Sequence, residues 1–409
     1  MSLAVAPTPI AVDRAEPQAG RPTAPVRVLH VVPSLFGGGM ERVMLRLIEG
    51  LSDRNRTQRD SRSIVQGVCV LQRGDEALVD RCRATVPTWV LGMDAPCRWK
   101  RRWRLVNLLR DVMDDFSPDV VHARTTSVWF DTVLAAGRQD DRRVLLSFHG
   151  KTHLAEPAWP RLCLNRWLCR RADAVLAVSR EAGAMIVRQW NAPAGRLIVI
   201  PNSVDTDRFR PAASQEQRSE SDTNTALPGS SPTVACIANL VPIKNIACLI
   251  EAWRQVTMVV PGACLWLIGD GPHRDALEAL ARRLRCDESV VFLGARDDTP
   301  ALLRRADLFV LPSRYEACSN AVLEAMATGL AVVACDVGGT HELIEQDRTG
   351  RLVAPNRADL LANAVIELLH NERLRTRLGR AARRYILEHH AQKRWLDDCA
   401  GVYVKLAER

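Results

Sequence analysis

The chain has 409 residues and an ordinary hydrophobic content of 47%, which predicts a globular protein with two domains or one large one. Its twelve cysteines are scattered without CxxC pairs or His–Cys clusters, which argues against a zinc site and a disulfide framework and favours a reducing cytoplasm. No apolar run approaches the roughly 20 residues of a membrane-spanning helix.

The formal net charge of +9 is unevenly distributed along the chain. Residues 1–200 hold 30 Lys and Arg against 20 Asp and Glu, whereas the remainder holds 26 against 27. The basic excess therefore lies in the N-terminal half, where we expect an anionic partner. No recognition motif supports binding to nucleic acid, and the other candidate is an anionic membrane surface.

The chain begins with a segment that predicts no structure and then enters an α/β pattern. Residues 1–25 are rich in Ala and Pro and lack an apolar core of signal-peptide length, so we expect a disordered tail. The run Val26–Val32 is nearly continuously apolar and predicts a buried parallel strand. The glycines Gly37–Gly39 and an amphipathic helix follow. This order opens a Rossmann-like unit whose glycines let backbone approach a ligand; the alternative is a tight turn only.

Six further strand-like runs follow in the N-terminal half, with helical patterns between most of them. Strands that alternate with helices predict a mainly parallel sheet covered on both faces. The predicted strands are Ser63–Leu71, Val86–Leu91, Asp119–His122, Val144–Phe148, Ala174–Val178 and Leu197–Ile200.

Two predicted helices of this half combine basic residues with tryptophans. Cys97–Arg104 places five basic residues around Trp99 and Trp103, which lie four residues apart and hence on one helical face. Ala158–Arg171 has a similar composition. Basic amphipathic helices that carry tryptophan are typical of membrane-surface binding. The alternative is that the tryptophans pack in the core while the arginines face solvent.

Residues 212–231 divide the chain in two. They are rich in Ser, Glu, Thr and Gln, with almost no large apolar residues, which predicts a flexible linker. We therefore expect an N-terminal Rossmann-like domain over 26–211, a second one over 232–388 and a helical end over 389–409.

The second half repeats the α/β pattern. After the predicted strand Thr233–Leu240, Lys244 lies in a short loop, where a lysine can neutralise a diphosphate. The region from Asp359 to Leu406 is predicted to be helical. The remaining predicted strands are Leu265–Ile268, Val290–Leu293, Asp307–Pro312, Ala331–Cys335 and Gly350–Val353.

The segment Ser313–Ala325 carries the strongest functional signal. Glu316 follows a predicted strand, and Glu324 lies about one turn inside a helix for which Ser319 and Asn320 are natural N-caps. Both carboxylates can face the crevice at the carboxyl ends of the strands, and the helix N-terminus suits a phosphate. The pattern predicts a ligand with hydroxyls and phosphates, such as a nucleotide-sugar. The alternative is two surface glutamates near an ordinary helix start.

This segment resembles the donor-site motif of the family 4 retaining glycosyltransferases, which have the GT-B fold. The resemblance covers about residues 27–390, and it implies two Rossmann-like domains that face each other across a cleft, with the acceptor bound by the first, the donor bound by the second and the last helix crossing back to the first. The other matching motifs are Gly37–Gly39, Phe148–Gly150, Ala172–Ala174, Val178–Ser179, Ile200–Asp205, Lys244–Asn245, Gly269–Pro272, Phe292–Gly294 and Gly338–Gly339.

The resemblance implies transfer of a sugar from a nucleoside-diphosphate sugar to an acceptor hydroxyl, in polysaccharide or glycolipid synthesis, in the cytoplasm or on the inner face of its membrane. Glu316 and His149 are the implied catalytic residues, and Glu324 is the implied ribose ligand. Neither a cofactor nor a metal is implied, because no Asp-x-Asp motif stands out. The implied donor-binding residues are Lys244, Asn239, Glu324, Ser319, Asn320, Gly38, Gly39, Gly269, Gly271, Ala295, Gly338 and Gly339.

Two departures from the family pattern keep other functions open. Asn239 stands where the family usually carries a phosphate-binding arginine, and Ala317–Ser319 replaces a Gly–apolar–Pro sequence. The first departure is compatible with a non-catalytic GT-B subunit of a membrane-surface polysaccharide assembly complex. A sugar-nucleotide epimerase with the same fold is a further alternative. The presence of Glu316, Glu324 and Lys244 favours the transferase.

Overall fold

The computed structural model describes most of the chain, which divides into two compact units. The predicted tail and linker lie outside the described residues except at their ends. Unit 1 consists of Met1–Gly150, Pro157–Pro201 and Lys393–Arg409, and unit 2 of Lys151–Glu156 and Asn202–Gln392. The described residues are 24–36, 38–57, 62–93, 99–137, 142–150, 158–212 and 232–409.

Unit 1 is built on a parallel sheet of seven strands in the order β3-β2-β1-β4-β5-β6-β7. Its strands are β1 (Val26–Val32), β2 (Ile64–Val70), β3 (Thr88–Val90), β4 (Val120–Ala123), β5 (Arg143–Phe148), β6 (Ala174–Ala177) and β7 (Leu197–Val199). The described helices between them are α1 (Gly39–Thr57), α2 (Glu76–Arg83), α3 (Trp99–Phe116), α4 (Trp129–Ala136), α5 (Trp159–Arg171) and α6 (Arg180–Trp190).

Unit 2 has a parallel sheet of six strands in the order β10-β9-β8-β11-β12-β13. Its strands are β8 (Thr233–Ile237), β9 (Cys264–Ile268), β10 (Val290–Gly294), β11 (Leu308–Leu311), β12 (Ala331–Cys335) and β13 (Arg351–Val353). Its helices are α7 (Ile246–Val259), α8 (Arg274–Arg283), α9 (Thr299–Arg305), α10 (Asn320–Ala327), α11 (Thr340–Leu343), α12 (Ala358–His370) and α13 (Glu372–His389).

The central strands are buried on both faces, as their sequences predict. Consecutive residues of a strand point to opposite faces, yet Val28 and Leu29 in β1 are both fully buried, and so are Val332 and Val333 in β12. Helices therefore cover both sides of each sheet, which is the reason the strands are continuous apolar runs. Every strand predicted from such a run is present, with ends displaced by no more than three residues. The prediction of two Rossmann-like units is confirmed.

The last helix, α14 (Gln392–Ala407), packs within unit 1 almost along its whole length. Tyr403 on this helix is 1% exposed, and its hydroxyl lies 2.8 Å from Nδ1 of His122 in β4. Nearer the start of the helix, Asp397 forms a 2.9 Å ion pair with Arg54 of α1. The end of the chain therefore contributes both apolar and polar contacts to unit 1.

Candidate active site

The site in unit 2 lies where the strand order of the sheet reverses. The chain adds β9 and β10 on one side of β8, and then β11 pairs with the other side of β8. In an open parallel sheet, ligands bind outside the carboxyl ends of the strands at such a switch point. Lys244 follows β8 and Glu316 follows β11. The topology thus places both predicted residues beside the expected ligand crevice.

Lys244 and Glu316 form an ion pair at this point. Nζ of Lys244 lies 2.6 Å from Oε1 of Glu316, whose residue is 7% exposed. The hydroxyl of Ser313 donates a hydrogen bond to the same oxygen, also over 2.6 Å. A cation that can neutralise a phosphate is therefore ion-paired with a carboxylate that can accept a hydrogen bond from a hydroxyl. Ser313 had no role in the sequence-based prediction.

The loop after β12 fixes the backbone of Glu316. The Gly339 N–H donates to the Glu316 carbonyl over 2.8 Å. Gly338 has a φ of +53°, and a Cβ at this position would lie 2.0 Å from the same carbonyl oxygen. Only glycine allows both the left-handed backbone and this approach. The predicted glycine pair therefore acts on Glu316 through backbone packing.

Helix α10 begins a few residues after Glu316, at the end of the loop that follows β11. Ser319 is its N-cap and accepts a hydrogen bond from the Val322 N–H over 3.4 Å, whereas Asn320 is the first helical residue. Glu324 lies one turn into the helix and is 8% exposed. The predicted cap is thus present, and the second carboxylate is largely buried within unit 2.

The other predicted donor residues of unit 2 lie on loops at the same edge of the sheet. The loops after β8 and β9 pack backbone against backbone, since a Cβ on Gly269 would lie 2.2 Å from the Ala238 carbonyl oxygen, and one on Gly271 would meet the backbone of Leu240 within 3 Å. Asn239 is exposed on the first of these loops, and Ala295 is exposed just after β10. The side chain of Asn239 is therefore accessible to a ligand.

The remaining predicted residues, His149, Gly38 and Gly39, belong to unit 1. His149 directly follows β5 and is partly buried, and its Nε2 is a buried atom without a hydrogen-bond partner among the described residues. Burial, with a further contribution from the Arg124 cation, lowers the pKa of His149 to about 3. Its imidazole is therefore neutral at physiological pH. Gly38 and Gly39 lead into α1, whose residue Arg42 donates its N–H to the Gly38 carbonyl.

A buried polar cluster at the carboxyl end of the unit 1 sheet was not predicted. Nε2 of His122 lies 2.5 Å from the Ser147 hydroxyl, and its Nδ1 lies 2.8 Å from the Tyr403 hydroxyl. His30 is the register partner of His122 on the neighbouring strand, with ring centroids 5.5 Å apart. Arg124, 3% exposed, follows β4 and places Nη1 3.4 Å from Nδ1 of His122. The only sequence signal for it was a histidine in each of two predicted strands, Val26–Val32 and Asp119–His122.

The tryptophans of α3 and α5 whose side chains the structure describes are exposed, so the alternative that they pack in the core is wrong for them. Trp159 is 75% exposed, Trp103 46% and Trp167 38%. The guanidinium of Arg171 stacks over the Trp167 ring at 5.0 Å. The side chain of Trp99 lies outside the described residues. Because α3 and α5 follow β3 and β5, both helices begin at the carboxyl edge of the unit 1 sheet.

The described residues also bear on metals, disulfides and membrane insertion. Within the described ranges, no group of three or more His, Cys, Asp or Glu side chains is placed to hold a metal ion. The cysteines that the structure describes are free, and nearly all of them are buried. None of the helices in the described part of the chain combines the length and apolarity that a bilayer span needs.

Several solved structures share this architecture. A glycosyltransferase from Rickettsia africae superimposes with a TM-score of 0.79 at 19% identity, over 93% of this chain and 98% of that one. Anabaena HepE, solved with UDP and glucose, gives 0.79 at 21% identity, over 92% and 99%. At these identities the likeness establishes the fold. The protein therefore has the GT-B fold, with two Rossmann-like domains.

Sequence comparisons establish the family. The model for glycosyltransferase family 4 matches residues 37–208, and the model for glycosyl transferases group 1 matches residues 231–371. A GDP-mannose-dependent phosphatidylinositol monomannoside mannosyltransferase of Mycobacterium tuberculosis is 35% identical over 62% of this chain and 66% of its own length, just under two thirds. The enzyme of the same name from Mycolicibacterium smegmatis is 32% identical over 64% and 72%. The chain belongs to the group 1, family 4 glycosyltransferases.

Proposed function

We propose that the protein is a retaining hexosyltransferase that moves a sugar from a nucleoside-diphosphate sugar to an acceptor hydroxyl, in polysaccharide or glycolipid synthesis. The observation that carries this proposal is the ion pair between the partly exposed Lys244 and the buried Glu316 at the switch point of unit 2. It combines the two chemistries that a nucleotide-sugar requires, a cation for the diphosphate and a carboxylate for sugar hydroxyls.

In this proposal each group of the site has one task. The leaving diphosphate gains negative charge as the glycosidic bond breaks, and Lys244 together with the N-terminus of α10 stabilises that charge. Glu316 accepts a hydrogen bond from a sugar hydroxyl, and Glu324 accepts one from the ribose. His149 is neutral because of its lowered pKa, so it contributes a hydrogen bond to the donor sugar without a charge. Neither carboxylate is assigned as a covalent nucleophile, and no metal is required.

Binding of nucleotides tests the donor site directly. Calorimetry with nucleoside diphosphates and their sugars should show saturable binding of one base, and GDP-mannose is the first donor to try because the mycobacterial relatives are named for it. Lys244→Ala should weaken that binding about 10- to 150-fold, the range expected for a hydrogen bond to a charged group. The control is Lys405→Ala, which removes a lysine of unit 1.

The outcomes separate the alternatives. Binding to no nucleotide would favour the non-catalytic subunit, and Asn239→Arg would then be the substitution to restore binding. Turnover of the donor sugar that does not respond to any acceptor would favour the epimerase. Binding that Lys244→Ala leaves unchanged would move the donor away from the switch point of unit 2.

We further propose that unit 1 binds an anionic membrane surface, as a lipid-linked acceptor would require. The mycobacterial relatives are named as phosphatidylinositol monomannoside mannosyltransferases, which supports this choice. Exposed Trp103 and Trp159 lie near the starts of α3 and α5, with exposed arginines on the same helices. Interfacial tryptophans beside basic side chains favour binding to anionic headgroups. Such binding would place the protein on the cytoplasmic face of a membrane.

Vesicle sedimentation tests this surface. Changing Arg104, Arg161 and Arg170 to Gln should weaken binding to phosphatidylglycerol vesicles by about fivefold per charge, since each basic residue near an anionic surface contributes roughly 1 kcal/mol. These three arginines are exposed. Arg102 is unsuitable, because it pairs with Asp131 at 2.9 Å, and its removal would perturb the fold.

A matched control removes the same charge elsewhere. Arg373, Arg377 and Arg380 are exposed on α13 of unit 2, so their replacement with Gln should leave vesicle binding unchanged. Equal losses from both triple variants would show a general charge effect and would contradict a surface on α3 and α5. Binding to pure phosphatidylcholine should be weak for every variant.

A further inference from the structure

Both described hydrogen bonds to the Glu316 carboxylate reach one oxygen. Oε1 receives Nζ of Lys244 and the hydroxyl of Ser313, each at 2.6 Å. No hydrogen bond from the described part of the chain reaches Oε2 of Glu316. A carboxylate oxygen has two lone-pair sites, so Oε1 is filled by the protein. Oε2 is therefore the oxygen available to a ligand hydroxyl.

A bound nucleotide-sugar would affect the two hydrogen-bond donors, Lys244 and Ser313, differently. If the site takes a nucleoside-diphosphate sugar, as we have proposed, Lys244 is the cation closest to Glu316 and must turn toward the diphosphate. Its contact with Glu316 then weakens. Ser313 has no such competing task, because its hydroxyl has one proton and donates it to Glu316. Ser313 would thus become the main group that fixes the carboxylate.

We propose that Ser313 is a positioning residue, which holds Glu316 so that Oε2 faces the donor sugar during transfer. This inference rests on the proposed function.

The fold keeps Ser313 rigid enough for this task. It lies two residues after β11, is 1% exposed and is followed by Arg314, whose N–H donates to the Ile243 carbonyl over 2.8 Å. That bond joins the loop after β11 to the loop that carries Lys244. Both donors to Glu316 therefore come from neighbouring, hydrogen-bonded segments of unit 2.

The inference predicts a specific kinetic pattern. Ser313→Ala leaves Lys244 in place, so the Kd for the nucleoside diphosphate without its sugar should change by less than twofold. The carboxylate is then poorly oriented when Lys244 engages the diphosphate, and kcat should fall about 10- to 150-fold, the effect expected from losing a hydrogen bond to a charged group. A fall in kcat without loss of nucleotide affinity marks an interaction made in the transition state.

Two further variants separate positioning from simple destabilisation. Ser313→Thr keeps the hydroxyl and should retain kcat within about fivefold, which Ser313→Ala does not. In a Glu316→Gln background, Ser313→Ala should cause little additional loss, because residues that act through one another are non-additive. The control is Ser289→Ala, which removes a serine hydroxyl that bonds Trp253 and Cys286 in unit 2. It should leave kcat unchanged.

The results distinguish this inference from the function on which it rests. If the unmodified protein neither binds nor turns over any nucleotide-sugar, the proposed function fails and the role of Ser313 fails with it. If the unmodified protein is active and Ser313→Ala has the same kcat, the function stands and the positioning role is overturned. Additive losses in the Glu316→Gln background would also overturn it, since Ser313 would then act independently of Glu316.

Discussion

Replacement of Glu316 with Gln is expected to lower kcat by about 100- to 1,000-fold while the protein stays folded. The amide has almost the shape of the carboxylate, so packing at this 7% exposed residue is retained. It loses the charge that attracts Nζ of Lys244, now 2.6 Å away, and it presents a donor where the sugar hydroxyl needs an acceptor. In a preorganised site, a substrate that is misplaced or has lost a hydrogen-bond partner reacts more slowly by a factor of this size.

The measurement combines steady-state turnover with a thermal unfolding curve. A matched control is Glu367→Gln, because Glu367 is also an ion-paired glutamate of unit 2, with Arg351 at 2.7 Å, but lies on α12. The control should keep its turnover. Unchanged turnover in Glu316→Gln would remove Glu316 from the site. A loss that accompanies a collapse of the unfolding transition would assign it to stability instead.

The sequence predicts the sheets well, for a physical reason. A strand covered on both faces must be apolar at consecutive positions. Ala331–Cys335 shows this over its full length, and Val26–Val32 shows it at every position except Arg27 and His30. Glu316 and Lys244 could also be predicted, because loops after parallel strands meet at one edge of a sheet. Their direct ion pair could not, since they lie 72 residues apart and their side-chain directions depend on the folded loops.

Other parts of the molecule could not be read from sequence spacing. A helical period tells which residues share a face, but not what covers that face, so the exposure of Trp159 needed the structure. The contact between His122 and Tyr403 spans 281 residues. Ser313 lies in the segment with the strongest signal, yet a serine three residues before a glutamate is a common pattern without a fixed geometry.

The buried cluster of unit 1 leads to a second large effect, a loss of stability in mild acid. Burial, followed by the Arg124 cation, lowers the pKa of His30 and of His149 to about 3. The same two causes, with neighbouring imidazoles, lower the pKa of His122 well below its usual value. In the unfolded chain each imidazole has a pKa of about 6.5. The folded protein therefore resists protonation that the unfolded chain accepts.

The lowered histidine pKa values make the folded protein less stable as the pH falls below 6.5. A histidine with a lowered pKa in the folded state contributes its full stability above pH 6.5, and that contribution is lost as the pH falls toward 3. At pH 5 each imidazole that stays neutral in the folded state lowers the free energy of unfolding by about 2 kcal/mol, set only by the distance from 6.5. His30 and His149 together give about 4 kcal/mol, a large share of the stability of a typical domain, and His122 acts in the same direction.

The groups that face the imidazoles do not compensate for this loss. Arg124 is the charged residue of the cluster, and a second cation beside it makes protonation harder. Burial raises the pKa of the Tyr403 hydroxyl, and it raises the pKa of the Cys399 thiol to about 12, so both stay neutral. The Gln66 amide, which lies 3.3 Å from Nε2 of His30, does not titrate. The described neighbours thus provide no carboxylate that would stabilise an imidazolium.

Calorimetric unfolding at pH 7.5, 6 and 5, at constant ionic strength, tests this prediction. The transition that involves unit 1 should move to lower temperature between pH 6.5 and 5. His30→Gln removes one of the titrating groups, so the free energy of unfolding of this variant should fall less steeply with decreasing pH. The difference in slope should correspond to about one proton fewer taken up on unfolding. The control is His389→Gln, because the side chain of His389 is 50% exposed on α13; this variant should keep the slope of the unmodified protein. If His30→Gln also keeps that slope, His30 is protonated equally in the folded and unfolded chains, and the source of any acid instability lies elsewhere.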